Sequence, residues 1–253
     1  MKKQIGLSLL AIWFLTSCSL PRPLNHEKLI TKAYTATTEA KSFHFTIRGT
    51  IVTDKKVDEV SGEGDVVFPD RWQMSMTIGD QKMETIQFGK RLYDKPPGSA
   101  GWQVQELSSV SPTQSMNPQN TLEYLQFLDE LRKSYDETVD GVKCECYSGV
   151  LNWSKYVATA RSRIDLSNLQ EKQALEAFEQ LAQETNTAVE VCIGEEDTLI
   201  HQQRIVSERS FVPPLAPLPP SAPTPAKMTV TSTMTIKFSA FNNPVIIEPP
   251  LQD

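Results

Sequence analysis

Apolar and polar residues alternate with a period of two through much of this chain, which predicts β-strands with one buried face. Phe43, Phe45, Ile47 and Ile51 alternate with His44, Thr46, Arg48 and Thr50. A strand over Val60–Phe68 carries Gly62 and Gly64, which suggest a bend or a close approach. Trp72, Met74, Met76 and Ile78 then alternate with Arg71, Gln73, Ser75 and Thr77, and Met83–Phe88 returns after Gly79-Asp80. Gly89-Lys90 turns into Arg91-Leu92-Tyr93, and Trp102 and Val104 open another strand after Pro96-Pro97-Gly98. Val142–Leu151, Thr187–Ile193 and Thr198–Phe211 are further strands. The last has the cleanest pattern: Met228, Val230, Met234, Ile236 and Phe238 face one way, and Thr229, Thr231, Thr233, Thr235 and Lys237 the other.

Three segments change period and predict helices. Residues 25–41 place Leu29, Ile30, Ala33, Tyr34 and Thr37 at three-four spacing. After Asn117-Pro118, a helix start, Leu122, Leu125, Leu128 and Leu131 with Tyr124, Phe127 and Tyr135 form one broad helical face. Residues 166–184 carry Leu169, Ala174, Leu175, Phe178 and Leu181. The pattern predicts an α+β fold: a large, strongly twisted antiparallel sheet with one apolar face, which must curl and whose concave side helices can fill.

The first residues read differently. Lys2 and Lys3 precede an apolar stretch from Ile5 to Leu15, and Leu15-Thr16-Ser17-Cys18 follows the pattern of a bacterial lipoprotein signal. The stretch is shorter than the roughly 20 apolar residues of a membrane-spanning helix. The expectation is a signal peptide over 1–17, a lipidated Cys18 on a stiff tether over 18–25 containing Pro21 and Pro23, and a single domain over 26–253. That address is the outer side of a cell membrane, held by lipid. The formal charge is −6, and −8 without Lys2 and Lys3, so nothing in it favours nucleic acid as a partner and the acyl group must hold the chain to anionic lipid.

Three cysteines remain beside Cys18, and export permits disulfides. Cys144 and Cys146 are two apart on one strand and share a face, so one of them is expected to bridge to Cys192: either Cys146–Cys192 or Cys144–Cys192. A Cys-only metal site lacks a well-placed fourth ligand, and no metal is expected. Residues 212–226 hold seven prolines and must form an exposed polyproline-like loop between two strands. His26, His44 and His201 accompany no nucleophile motif, phosphate loop or metal-spaced cluster, so they read as surface histidines, and neither catalysis nor a cofactor is expected. Glu195-Glu196-Asp197 reads as a solvated hairpin tip, and Asn152-Trp153-Ser154 matches a glycosylation acceptor by chance.

The order of short motifs resembles the LolA-like lipoproteins, especially the LppX/LprG branch. An opening helix leads into Phe43-His44-Phe45-Thr46. Gly64-Asp65-Val66-Val67-Phe68-Pro69-Asp70-Arg71-Trp72 and Gly89-Lys90-Arg91-Leu92-Tyr93 are similar to the family's early hairpins, with Trp102 closing the next strand. Asp140-Gly141-Val142 with Tyr147 resembles its mid-chain strand, and Phe241–Pro250 its ending. The resemblance covers residues 27–250. It implies a half-barrel, a curved antiparallel sheet wrapped over inserted helices with an apolar cavity between them, in proteins that carry or sense lipid acyl chains. Phe43, Phe45, Trp72, Met74, Met76, Ile78, Trp102, Val104, Met234, Ile236 and Phe238 are the candidate cavity residues. Such stripes more often are simply core. The second functional class is a non-enzymatic sensor or scaffold that binds a protein partner through its surface or the loop 212–226.

Overall fold

Among the described residues, eleven strands pair into one antiparallel sheet. The computed structural model describes residues 26–53, 56–107, 118–164, 166–211 and 228–250. The signal peptide expected over 1–17, the lipidated Cys18 and tether expected over 18–25, and the proline-rich stretch 212–226 lie outside the described residues. The strands are β1 (Ser42–Thr53), β2 (Lys56–Val67), β3 (Arg71–Ile78), β4 (Gln81–Phe88), β5 (Arg91–Lys95), β6 (Gln103–Glu106), β7 (Leu128–Val139), β8 (Val142–Leu151), β9 (Thr185–Gly194), β10 (Ile200–Phe211) and β11 (Met228–Ser239). Their order across the sheet is β6-β5-β4-β3-β2-β1-β11-β10-β9-β8-β7. Two meanders therefore meet where β1 pairs with β11, Phe45 opposite Phe238.

Among the described residues, four α-helices join the sheet: α1 (His26–Thr38), α2 (Pro118–Glu123), α3 (Trp153–Ser162) and α4 (Leu169–Gln183). Helix α1 buries Ile30, Ala33 and Thr37, the stripe its spacing predicts. The Thr37 hydroxyl accepts the Ile200 N–H at 3.0 Å and ties the helix end to β10. The main core joins Ile30 and Ala33 of α1 and Leu122 of α2 to Phe43, Phe45, Trp72, Met74, Met76, Ile236 and Phe238 of the sheet. The closing segment packs Phe241 against Phe43 and buries Ile247, and Asn242 accepts the Lys41 N–H at 2.8 Å.

The helix expected from Asn117 through Tyr135 is corrected. Helix α2 stops at Glu123, a single 3-10 turn covers Tyr124–Phe127, and β7 begins at Leu128. Leu122 and Leu125 face the core as the helical spacing requires, but Tyr135 is exposed and Leu131 is half-buried. Pairing with β8 overrides the local period. Strand β7 is a sheet edge, and its run of exposed charged residues suits an edge that must not pair further. Helix α3 was not expected at all. Asn152, read as a chance glycosylation pattern, is its N-cap and accepts the Lys155 N–H at 2.9 Å.

Gly64 is a close approach. A Cβ there would lie 2.6 Å from Phe45 Cζ and 2.0 Å from the Gln73 carbonyl oxygen, so the missing side chain is what lets the Phe45 ring lie across β2. Asp140 (φ 48°) and Gly141 (φ 93°) form the tight β7–β8 turn, where two left-handed residues match the twist of the strands.

Candidate ligand-binding face

Directly opposed residues of antiparallel strands share a face, so the register sorts the candidates. Phe43 opposes Val66, which opposes Trp72; Phe45, Gly64 and Met74 follow, then Ile47, Gly62 and Met76. On the other side Ile47 opposes Ile236, which opposes Gln203, then Val191 and Tyr147. This is the concave, helix-covered face. It brings together nine of the predicted residues: Phe43, Phe45, Trp72, Met74, Met76, Ile78, Met234, Ile236 and Phe238. Seven of these nine are buried in the main core, while Ile78 and Met234 are half-buried against it.

Trp102 and Val104 are not on this face. Val104 opposes Tyr93, Tyr93 opposes Ile86, and Ile86 opposes Gln73, which belongs to the polar side of β3. Val104 is exposed, and Trp102 lines an outer groove of about 270 Å³ with His44, Glu63, Asp65 and Glu84. The alternation begun at Trp72 changes phase across the turns between β3 and β6, and a shift of one residue reverses the face.

The concave face is lined by apolar groups with few polar ones among them. Trp72 Nε1 donates to Gln87 Oε1 at 2.6 Å, which places the indole beside β4. Gln203 is fully buried; its Nε2 donates to the Thr121 carbonyl of α2 at 2.8 Å, and its Oε1 has no partner. Apolar surface continues past the fully buried core as half-buried Ile51, Ile78, Met83 and Met234. Edge-to-face contacts tie α3 and α4 to the 3-10 turn through Tyr124, Phe127, Trp153, Tyr156 and Phe178. Burial, helped by the Glu123 carboxylate, pushes the Tyr124 hydroxyl up to about 12. Burial likewise raises Tyr156, with Tyr124 next to it adding to the effect.

The histidine reading is also corrected. His201 is buried, pairs through Nε2 with Asp197 Oδ2 at 2.9 Å and meets the Phe241 ring edge-on. His44 Nδ1 pairs with Asp65 Oδ1 at 2.9 Å, and His26 lies against the Tyr147 ring.

The disulfide joins Cys146 to Cys192, which stand directly opposite one another on β8 and β9, while Cys144 opposes Gly194 and remains a free, buried thiol. By register these cysteines lie on the convex side. There the β7–β8 tip leans over the sheet, Asp140 pairing with Lys237 of β11 at 2.7 Å, and Val139, Cys144, Cys146 and Cys192 form a second small core. Glu137 Oε2 comes within 3.8 Å of Cys192 Sγ and 4.0 Å of Cys146 Sγ. With both sulfurs in the disulfide, neither is a thiolate ligand for a metal.

The chain covers 97% of lipoprotein LppX from Mycobacterium tuberculosis with 88% of its own length, at a TM-score of 0.51 and 16% identity. The fold is the LppX half-barrel. LprF from Mycobacterium bovis aligns with 88% of this chain and 96% of its own at 10% identity and a TM-score of 0.44. A LolA superfamily protein from Nitrosomonas europaea aligns over 87% and 94% at 9% identity and a TM-score of 0.34. No protein-family profile and no curated protein sequence matches the chain. In this LppX-type half-barrel α1 and α2 fill the concave face, and the apolar surface running past them is the candidate site.

Proposed function

We propose that this protein is a membrane-anchored, extracytoplasmic lipoprotein whose half-barrel binds lipid acyl chains on its concave face, for transport or presentation in the cell envelope. The observation that carries this reading is the continuity of the apolar face, from the core under α1 and α2 out to half-buried Ile51, Ile78, Met83 and Met234. Methionine suits such a lining, because its unbranched thioether adapts to chains of varying shape. Cys18, acylated, is the anchor, and an eight-residue tether spans at most about 29 Å.

The energetics favour exchange with a bilayer over capture from water. Each buried methylene contributes about 0.8 kcal/mol relative to water, so a chain of about fifteen methylenes contributes about 12 kcal/mol. In the bilayer that chain is already buried, so transfer between the two is nearly balanced. The ligand then replaces contacts that Ile30, Leu122 and Leu125 make with the sheet, each a burial of about 1.5–3 kcal/mol. A loading step therefore shifts α1 and α2 and does not require unfolding of the sheet.

The test is native mass spectrometry with lipid extraction on protein expressed from Ser19. Lipid bound near one-to-one, lost in a folded Met76→Asp variant, is the expected result. A clean unliganded mass that persists after incubation with added lipid vesicles overturns the reading and leaves the concave face as core alone.

A further inference from the structure

Among the described residues, Gln203 Oε1 is a polar atom at the centre of the apolar face that has no partner. Gln203 sits on β10 directly opposite Ile236 on one side and Val191 on the other, and it is fully buried. The Thr121 carbonyl can only accept, so the amide nitrogen must be the atom that faces it, at 2.8 Å. The orientation of the amide is thereby fixed, and Oε1 is left as a buried acceptor without a donor. Buried acceptors of this kind are rare in folded proteins, and each calls for an explanation in terms of a ligand, a water or a functional role.

We infer that Gln203 is the polar anchor of the lipid site, its Oε1 accepting a hydrogen bond from a hydroxyl or N–H carried by the ligand. This rests on the reading of the concave face as the lipid site. It narrows the ligand class to amphiphiles with a donor at or near the acyl chain, such as free alcohols or hydroxylated chains, in preference to chains capped as ethers or esters. Sites of this build combine an apolar lining with a few placed polar groups that set orientation and selectivity. Discrimination follows from the cost of leaving the acceptor unpaired. A ligand lacking the donor buries Oε1 without a partner, whereas the matching ligand pairs it. Its cross-strand neighbours, Val191 and Ile236, are apolar and cannot supply that bond.

The experiment compares oleyl alcohol with oleyl methyl ether, which share a chain and differ in the donor. Binding to the chain expressed from Ser19 is measured by displacement of a fluorescent fatty-acyl probe, alongside a Gln203→Met variant of similar volume. The expected result is about tenfold tighter binding of the alcohol by the parent, about 1.4 kcal/mol, and a ratio near one in the variant with both probes still bound. Equal binding of alcohol and ether by the parent overturns the proposal without recourse to any variant, and assigns the acceptor to a trapped water. A preference that survives in Gln203→Met also overturns it, because the donor is then read elsewhere. If the parent binds neither probe, the lipid reading itself fails and the anchor fails with it.

Discussion

Removing the Cys146–Cys192 bridge tests whether the convex-side core matters to the stability of the half-barrel. The two cysteines are 46 residues apart in sequence, and the loop they close contains α3 and α4. In the chain-entropy account, a cross-link over about 46 residues removes about 13 cal/mol/K from the unfolded ensemble, or about 4 kcal/mol at 25 °C. Both sulfurs are also buried beside Val139, so Cys146→Ala with Cys192→Ala loses packing as well. For a chain of this size each kcal/mol moves the melting temperature by about 2–4 °C, so loss of the cross-link alone is expected to lower it by about 8–16 °C, before the lost packing is added. Urea unfolding adds a second signature: the uncross-linked chain exposes more surface when unfolded, so its m-value rises. Cys144→Ala is the control. It removes an equally buried sulfur from the same cluster but no cross-link, and its shift is expected to stay near 2–4 °C. A double variant that melts no lower than Cys144→Ala, with an unchanged m-value, would refute the entropic argument.

Two further predictions follow from the faces and the tyrosines. Trp72→Ala removes a buried indole from the main core and is expected to cost about 3–5 kcal/mol in urea denaturation, whereas Trp102→Ala, on the convex groove, is expected to cost under about 1 kcal/mol; equal losses would contradict the register. Burial raises Tyr124 to about 12 from an ordinary value near 10, so the unfolded chain releases that proton first; the stability it supports is complete below about pH 10 and is lost as pH rises toward 12. Phenolate absorbance should therefore climb together with unfolding, and Tyr124→Phe should move the alkaline midpoint upward; an unmoved midpoint would count against burial as the cause.

Much of the sheet was legible because a period of two states which face is buried. Phe43 and Phe45, Trp72 through Ile78, and Met234 through Phe238 all lie on the concave face for that reason. What alternation does not carry is phase from one strand to the next. Trp102 and Val104 continue the alternation of Trp72 and Met74 in the sequence, and only the pairing of β6 with β5 and the groove that Trp102 lines show them to be on the other side. The disulfide was undetermined for the same reason: Cys144 and Cys146 share a face, and the one that meets Cys192 depends on a register the pattern leaves free. The false helix over Leu128–Tyr135 has a different origin. Its leucines fit a helical stripe, but β8 needed an edge partner, and hydrogen bonding along β8 outweighs a local preference of a few tenths of a kcal/mol per residue. Helix α3 hid because it buries no residue fully, leaving Asn152 as its one local signal.

If the concave face binds lipid as proposed, the two sides of the sheet divide the work. On the convex side of β8 and β9, the bridge and the hairpin tip latched to Lys237 hold the strands behind α3 and α4. On the concave side of β1 to β4 the lining is Phe45, Met74, Met76 and Met83 over Gly62 and Gly64, where adaptable side chains meet backbone without side chains of its own. A cross-link among those strands would fix the spacing that a ligand of variable shape must adjust. Placed on the far face and at the other wing, it stiffens the frame and leaves the lining free to repack. The same separation explains why Gln203, on the strand between the two wings, is well placed as a fixed polar reference point: β10 is bound to β9 on the stiffened side, and its opposite neighbour β11 opens the apolar face.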